Sequence, residues 1–261
     1  MIVTKRDTNI RTVEQWFNLA PPKGGIEQWV PGRSAFECAR AWCADGDGPC
    51  IPPELLALLS SRSETQNVTI TSATPEHRVP FDDLPGEPRN ADVVAVGDDP
   101  NGRLAINIEA KADEPFDQYV RDILLSAARR IAADEPTNSV KRIQNLAQSI
   151  LPPRVNEAIS LGDLRYQLLT GVAGAIAFAS EVGANRAAFL VHEFITDRTD
   201  DEKHRTNTQD LDNFVLRLSR GLIPSVPSGV LLGPFRIPGL PLFRSAPPLF
   251  LGKAVRNLRK I

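Results

Sequence analysis

The chain has 261 residues, of which 42% are hydrophobic and 24% are charged, and its formal net charge is −2. These values are ordinary for a globular protein with a substantial core, and no low-complexity tract is present. The chain starts without the apolar segment of a secretory signal, and its longest mostly apolar run, 168–179, is too short to cross a bilayer. We therefore expect a cytoplasmic protein that has no membrane partner.

The charge is distributed unevenly. Residues 213–261 contain no Asp or Glu and carry a formal charge of +8, which leaves −10 for residues 1–212. A basic segment of this kind either binds a polyanion such as nucleic acid or forms a basic edge of no special purpose. The three cysteines are an odd number without a close pair or a nearby histidine, so we expect reduced structural thiols.

Helices are predicted in the first part of the chain. They cover 12–17, 35–44 and 52–61. Ser34 and Glu37 have the spacing of a capping box at the start of the second helix. A strand is predicted at 67–71, and a proline-rich connection at 75–89 follows it.

The middle of the chain predicts a β-hairpin followed by helices. Strands at 91–97 and 103–112 flank a turn that is rich in Gly, Asp, Asn and Pro. Helices are then predicted at 116–131, 140–151 and 161–182, a buried strand at 186–195, a helix at 207–220, and strands at 230–237 and 249–255. This order predicts an α/β (α+β) fold in a single domain over 1–261. We expect an N-terminal helical part at 1–33, a core at about 34–195 and a basic C-terminal extension at 196–261.

Three ionisable residues lie on the two apolar strands of the hairpin. Glu109 and Lys111 are two residues apart and therefore project to the same face of their strand. Asp92 can join them from the neighbouring strand, because a closed 97–102 turn brings the two strands side by side. Two carboxylates beside a lysine suit a divalent cation and phosphodiester hydrolysis. The alternative is a Glu–Lys pair on an exposed edge strand.

Asp92, the Glu109-Ala110-Lys111 triplet and a later helix bearing Gln167 resemble the PD-(D/E)xK nuclease superfamily. This superfamily comprises restriction endonucleases, junction resolvases and repair nucleases, and its core runs helix, three strands, helix, strand. The resemblance covers the element order over 34–195, whereas the motif itself is three residues long. Ala91 replaces the proline of the motif. The resemblance implies a restriction-endonuclease-like core with a mixed central sheet.

The resemblance also implies roles for individual residues. Asp92 and Glu109 would be ligands of Mg²⁺ or Mn²⁺, together with the carbonyl of Ala110. Lys111 would orient or deprotonate the attacking water and stabilise the developing charge. Gln167 would contact the site or the scissile phosphate.

Two further residues are weaker candidates. Glu37 matches the additional acid that many members carry on the preceding helix, although its position in a capping box explains it equally well. Arg165 is a candidate partner of Glu109 or of a phosphate, or else a capping residue. His192, in a predicted buried strand, is expected to be a core histidine, and His204 is expected in a polar loop.

We therefore expect a metal-dependent endonuclease that acts on DNA in restriction, defence or repair. A homodimer is an open alternative to a monomer, because paired cuts across a duplex usually need two sites. A second hypothesis is a nuclease-like module that binds nucleic acid or a protein partner without cutting. A third is a subunit of a larger complex that docks through its proline-rich tail at 222–250.

Overall fold

Eight strands join into one sheet in the computed structural model, which describes residues 1–44, 48–154 and 159–259. The strands are β1 (Ile2–Lys5), β2 (Thr8–Asn9), β3 (Thr69–Val79), β4 (Arg89–Asp99), β5 (Gly102–Lys111), β6 (Arg186–Ile195), β7 (Leu231–Phe235) and β8 (Leu249–Asn257). Their order across the sheet is β2-β1-β3-β4-β5-β6-β8-β7. The sheet is mixed: β3, β4 and β5 are antiparallel neighbours, whereas β5, β6 and β8 run parallel.

Helices cover both faces of the sheet. They are α1 (Val13–Leu19), α2 (Ser34–Trp42), α3 (Pro53–Ser60), α4 (Val120–Ala132), α5 (Ser139–Ile150), α6 (Tyr166–Glu181) and α7 (Asp201–Leu218). The first three pack on one face around Trp42 and Leu58, and the last four contribute to the apolar core on the other face. Burial of apolar area on both faces stabilises the sheet.

Helix α6 lies directly against the centre of the sheet. Its small residues permit this close approach, since a side chain at Gly171 would place its Cβ 2.5 Å from the ring of Phe189. The helix is buried along most of its length, as its nearly uncharged sequence predicts. This contact holds the first turn of α6 beside β5, where the candidate site lies.

The predicted α/β class and the order of the central elements are confirmed. The 91–97 and 103–112 strands form the antiparallel pair β4–β5, and β6 covers the predicted 186–195. A restriction-endonuclease-like core stays a prediction. No helix within the described ranges is long and apolar enough to cross a membrane.

Four local predictions were wrong. The 1–33 segment is not only helical, because β1 pairs with β3 and extends the sheet. Strand β3 continues through Pro75 to Val79, into the segment predicted as a connection. Helix α7 begins at Asp201, six residues before the predicted start, because Asp200 caps it by accepting hydrogen bonds from two backbone N–H groups. Ser34 is the first residue of α2 rather than its cap, and its hydroxyl donates to Glu114.

The basic C-terminal extension is part of the sheet rather than a separate arm. Of its cations, Lys253 lies 3.5 Å from Glu193, Arg256 lies 2.7 Å from Glu54, and Arg259 lies 2.5 Å from Asp201. These cations therefore balance acids from earlier in the chain, which explains much of the uneven charge. Lys260 lies outside the described residues. The exposed tail arginines are Arg220, Arg236 and Arg244.

Candidate active site

The β4–β5 hairpin brings the predicted site residues together. Val93 pairs with Ile108, so Asp92 and Glu109 follow directly at the same end of the two strands. Ile106, Ile108 and Ala110 pack into the apolar core beside α2. Because side chains alternate along a strand, Glu109 and Lys111 project to the other face, towards α6.

A closed hydrogen-bonded network joins Glu109, Lys111 and Gln167. Gln167 Nε2 donates to Glu109 Oε1 at 2.6 Å, and Lys111 Nζ donates to Gln167 Oε1 at 2.9 Å. The third contact is an ion pair between Lys111 Nζ and Glu109 Oε1 at 3.1 Å. The polar ends of these three side chains therefore lie in contact with one another. The Lys111 and Glu109 side chains are only 8% and 3% exposed, so solvent screens the pair weakly.

Asp92 joins this group from β4. Its Oδ2 accepts a hydrogen bond from the backbone N–H of Ala110 at 2.7 Å, so the carboxylate lies next to the Glu109-Ala110-Lys111 triplet. A cavity of about 410 Å³ opens over these groups. Its lining includes Glu76, Asn90, Asp92, Glu109, Ala110, Lys111, Glu114 and Gln167. The structure thus brings four of the five predicted side chains and the predicted Ala110 to one cavity.

Arg89 was not predicted as a site residue, and it is the closest partner of Glu109. Its Nη2 donates to Glu109 Oε2 at 2.5 Å, and its Nη1 donates to the Thr170 hydroxyl at 3.2 Å. The Arg89 side chain is 5% exposed. In the sequence Arg89 ends a proline-rich stretch that is typical of a loop, and nothing local distinguishes it from a surface arginine.

Glu76 is the second residue that the sequence did not reveal. It lies on β3 with a left-handed backbone (φ 48°), hydrogen-bonds to the Asn90 side chain, and lines the same cavity. Burial, the largest cause, raises the pKa of Glu76 to about 7, although the Asn90 hydrogen bond and Lys5 act in the opposite direction. A left-handed non-glycine residue in a strand has no clear sequence signal.

The two predicted carboxylates have opposite pKa shifts. Burial, followed by the nearby Glu109 and Glu76, raises the pKa of Asp92 well above its usual range. Burial acts in the same direction on Glu109, but Lys111 and Arg89 outweigh it and hold the pKa of Glu109 below its usual value. Glu109 is therefore the ionised partner of two cations, and Asp92 is a carboxyl group crowded by like charge.

The structure does not bring Glu37 or Arg165 to this cavity. The Glu37 carboxylate accepts from the backbone N–H of Gly32 at 2.7 Å and lies 3.2 Å from Arg40. Arg165 pairs with Asp210 at 2.7 Å. It also donates to the Asp117 carbonyl, so Glu109 is not its partner. Both side chains therefore have their partners away from the cavity.

The histidines lie outside the cavity as well. His192 is buried and lies 2.6 Å from Glu54, consistent with the predicted core histidine. His204 was predicted in a polar loop, but it lies buried on α7, 2.6 Å from Glu193. Within the described ranges, no three His, Cys, Asp or Glu side chains are grouped in a way that could hold a metal ion.

These features define an α/β protein with a mixed eight-stranded sheet and a buried carboxylate–lysine–amide cluster beside its central hairpin. Residues 9–246 match the family described as "Domain of unknown function (DUF6946)". Because the match covers most of the chain, the protein belongs to this family. No curated protein and no solved structure matches the chain.

Proposed function

We propose that this protein is a nuclease that hydrolyses phosphodiester bonds, in DNA, with Mg²⁺ or Mn²⁺ as its cofactor. The observation that carries the proposal is the convergence of Asp92, Glu109, Lys111 and Gln167 on one cavity of about 410 Å³. These residues come from β4, β5 and α6, and the Glu109–Lys111–Gln167 network orders three of them. A Glu–Lys pair on an exposed edge strand would be accessible to solvent, whereas this pair is buried.

The residues present fit a divalent cation. Carboxylates and a backbone carbonyl are the hard oxygen ligands that Mg²⁺ prefers, and Asp92, Glu109 and the Ala110 carbonyl would hold it. The raised pKa of Asp92 reflects its burial and its repulsion by Glu109 and Glu76. A bound cation would relieve this repulsion, and would supply Lewis-acid stabilisation of charge on the phosphate.

The protein's own side chains would perform the remaining work. Lys111 would stabilise the negative charge that develops on the phosphate, and would orient the attacking water through its ammonium group. Gln167 holds the ammonium group of Lys111 and the carboxylate of Glu109 at fixed positions, since it bonds to both. Such preorganisation avoids rearrangement during the reaction.

Cleavage of defined DNA substrates tests the proposal. The substrates are linear, circular, single-stranded and branched DNA, each incubated with Mg²⁺, with Mn²⁺ and with EDTA. We expect cleavage only with a cation, and a loss of about a hundredfold or more in Lys111→Met. Lys141→Met is the matched control, because Lys141 is an exposed lysine on α5. Full activity of Lys111→Met, or no cleavage of any substrate by the wild type, would contradict the assignment.

A second candidate function is a nuclease-like module that binds nucleic acid or a protein without cutting. The observation in its favour is that both Glu109 oxygens already accept hydrogen bonds, Oε1 from Gln167 and Oε2 from Arg89. The same panel distinguishes the two candidates when each substrate is also tested for binding by fluorescence anisotropy. Binding of a substrate that is never cleaved, with either cation, favours the module.

A further inference from the structure

The charge of Glu109 is compensated within the protein itself. Glu109 pairs with two buried cations, Arg89 and Lys111, and the carboxyl group of Asp92 lies beside the same strand. A divalent cation is drawn to a site by its net negative charge, and Arg89 and Lys111 reduce that charge at Glu109. The other charged residues that line the cavity are Lys23, Glu27, Arg33, Glu76, Asp92 and Glu114. The two cations that pair with Glu109 therefore weaken the attraction of this carboxylate for a divalent cation.

Arg89 occupies one of the two Glu109 oxygens. Its guanidinium bonds to Glu109 Oε2 at 2.5 Å, whereas Lys111 and Gln167 both bond to Oε1. Each Glu109 oxygen thus has a cationic partner, Lys111 at Oε1 and Arg89 at Oε2. A cation that binds Oε2 must share this oxygen with the guanidinium or displace it.

The fold contains a niche built for the arginine side chain. A Cβ at Gly174 would lie 2.9 Å from Arg89 Cδ and 2.9 Å from Asn107 Nδ2, so α6 leaves space for both side chains. Thr170, one turn earlier on α6, binds the guanidinium Nη1 at 3.2 Å. Arg89 Nε and the Asn107 amide are buried with no hydrogen-bond partner among the described residues. The sequence therefore places a guanidinium beside Glu109 although burying polar atoms without a partner costs free energy. A purely apolar niche would avoid this cost.

We propose that Arg89 is a positioning residue that serves as the internal counter-ion of Glu109 and competes with the divalent cation for Glu109 Oε2. This inference rests on the proposed function, because it assumes a cation at the same cavity. It follows that the protein without substrate binds the cation weakly, and that removing the Arg89 charge strengthens cation binding. A residue with a structural role alone would leave cation affinity unchanged or lower it when replaced.

Direct measurement of Mn²⁺ binding tests the inference, by titration calorimetry or by the electron paramagnetic resonance signal of free Mn²⁺. We expect Arg89→Met to lower the dissociation constant about tenfold or more relative to the wild type, because one positive charge leaves the site. Arg89→Lys keeps the charge and is expected to remain within about threefold of the wild type. Arg142→Met is the matched control: Arg142 lines the neighbouring cavity together with Arg89, but pairs with Asp82 at 2.7 Å.

Thermal melting establishes that each variant is folded, and Arg89→Gln replaces Arg89→Met with the same expectation where the methionine variant does not fold. The inference is overturned if the charge-neutral variant binds Mn²⁺ with the same affinity as the wild type, more weakly, or not at all. Cleavage assays on the same samples separate it from the proposed function. Variants that still cleave DNA but have an unchanged Mn²⁺ affinity contradict only the inference. Tighter Mn²⁺ binding without cleavage of any substrate contradicts only the nuclease assignment.

Discussion

Replacement of Glu109 by glutamine is expected to destabilise the protein as well as to affect activity. The Glu109 side chain is 3% exposed and forms ion pairs with Arg89, 5% exposed, and with Lys111, 8% exposed. Glu109→Gln keeps the shape of the side chain but removes the only negative charge that contacts Arg89 within the described ranges. The variant therefore leaves two buried cations against a neutral amide in place of the Glu109 carboxylate.

The expected cost follows from the burial of these groups. Breaking a buried ion pair by removing one partner costs about 3–5 kcal/mol, because the other charge remains desolvated. Glutamine still accepts a hydrogen bond through its amide oxygen, so we expect the lower end, about 3 kcal/mol. For a chain of this size a loss of about 3 kcal/mol corresponds to a melting temperature lower by roughly 6–12 °C.

Urea denaturation followed by circular dichroism measures this loss, and a double-mutant cycle identifies its cause. Because Arg89→Met/Glu109→Gln removes both charges, we expect the double variant to lose about 1–3 kcal/mol less than the sum of the single variants. Asp98→Asn is the control: its ion pair with Arg103 spans 3.0 Å, but both side chains are more than 40% exposed, so its loss should cost less than about 1 kcal/mol. An unfolding free energy of Glu109→Gln equal to that of the wild type, or strictly additive losses, would refute the reasoning.

Three other predictions concern pH and nucleic-acid binding. The pKa of Glu76 is raised to about 7, so its ionisation costs stability as the pH rises from about 4.5 through 7. The unfolding free energy of Glu76→Gln should match that of the wild type at pH 4 and exceed it at pH 8 by about 2 kcal/mol. An equal gap at both pH values would contradict this. Burial alone would raise the pKa of Glu54, but hydrogen bonds from His192 and Arg256 lower it to about 2. Glu54→Gln should therefore lose about 2 kcal/mol of unfolding free energy at pH 7 and approach the wild type as the pH falls from about 4.5 towards 2. A difference that is constant with pH would argue against the pairing. Replacing the three exposed tail arginines by glutamine should weaken DNA binding, and should reduce the slope of log affinity against log salt by up to about 3; an unchanged slope would exclude these arginines from the interface.

The parts of the fold that could be predicted from the sequence are those with strong local signals. The turn formers at 97–102 and the alternating or apolar runs beside them predict the β4–β5 hairpin, and the nearly uncharged 168–179 run predicts the buried helix α6. The short strand β1 was missed because four residues carry little periodicity, and because its parallel partner β3 lies more than sixty residues away. Long-range pairing of this kind has no local signature.

The same distinction applies to the candidate site. Glu109 and Lys111 are two residues apart on one strand, so their common face follows from geometry, and Gln167 stands out at the start of an apolar helix. Arg89 and Glu76 join the site only through tertiary structure. Arg89 reaches Glu109 through the space that Gly174 leaves, and Glu76 lines the cavity from a left-handed position on β3. Part of the positive charge of the C-terminal extension is used within the fold, since Lys253 and Arg256 form ion pairs there, and the sequence gives no sign of these pairings.

The two edges of the sheet restrict how a second copy of the chain could bind. One edge is β2, which has only two residues, and the other is β7, which contains Pro234 and an irregular register against β8 between Leu232 and Phe235. Short strands, prolines and irregular pairing make a sheet edge a poor template for another strand. We therefore expect a second copy of the chain to associate through helices or loops, with the two sheets kept separate.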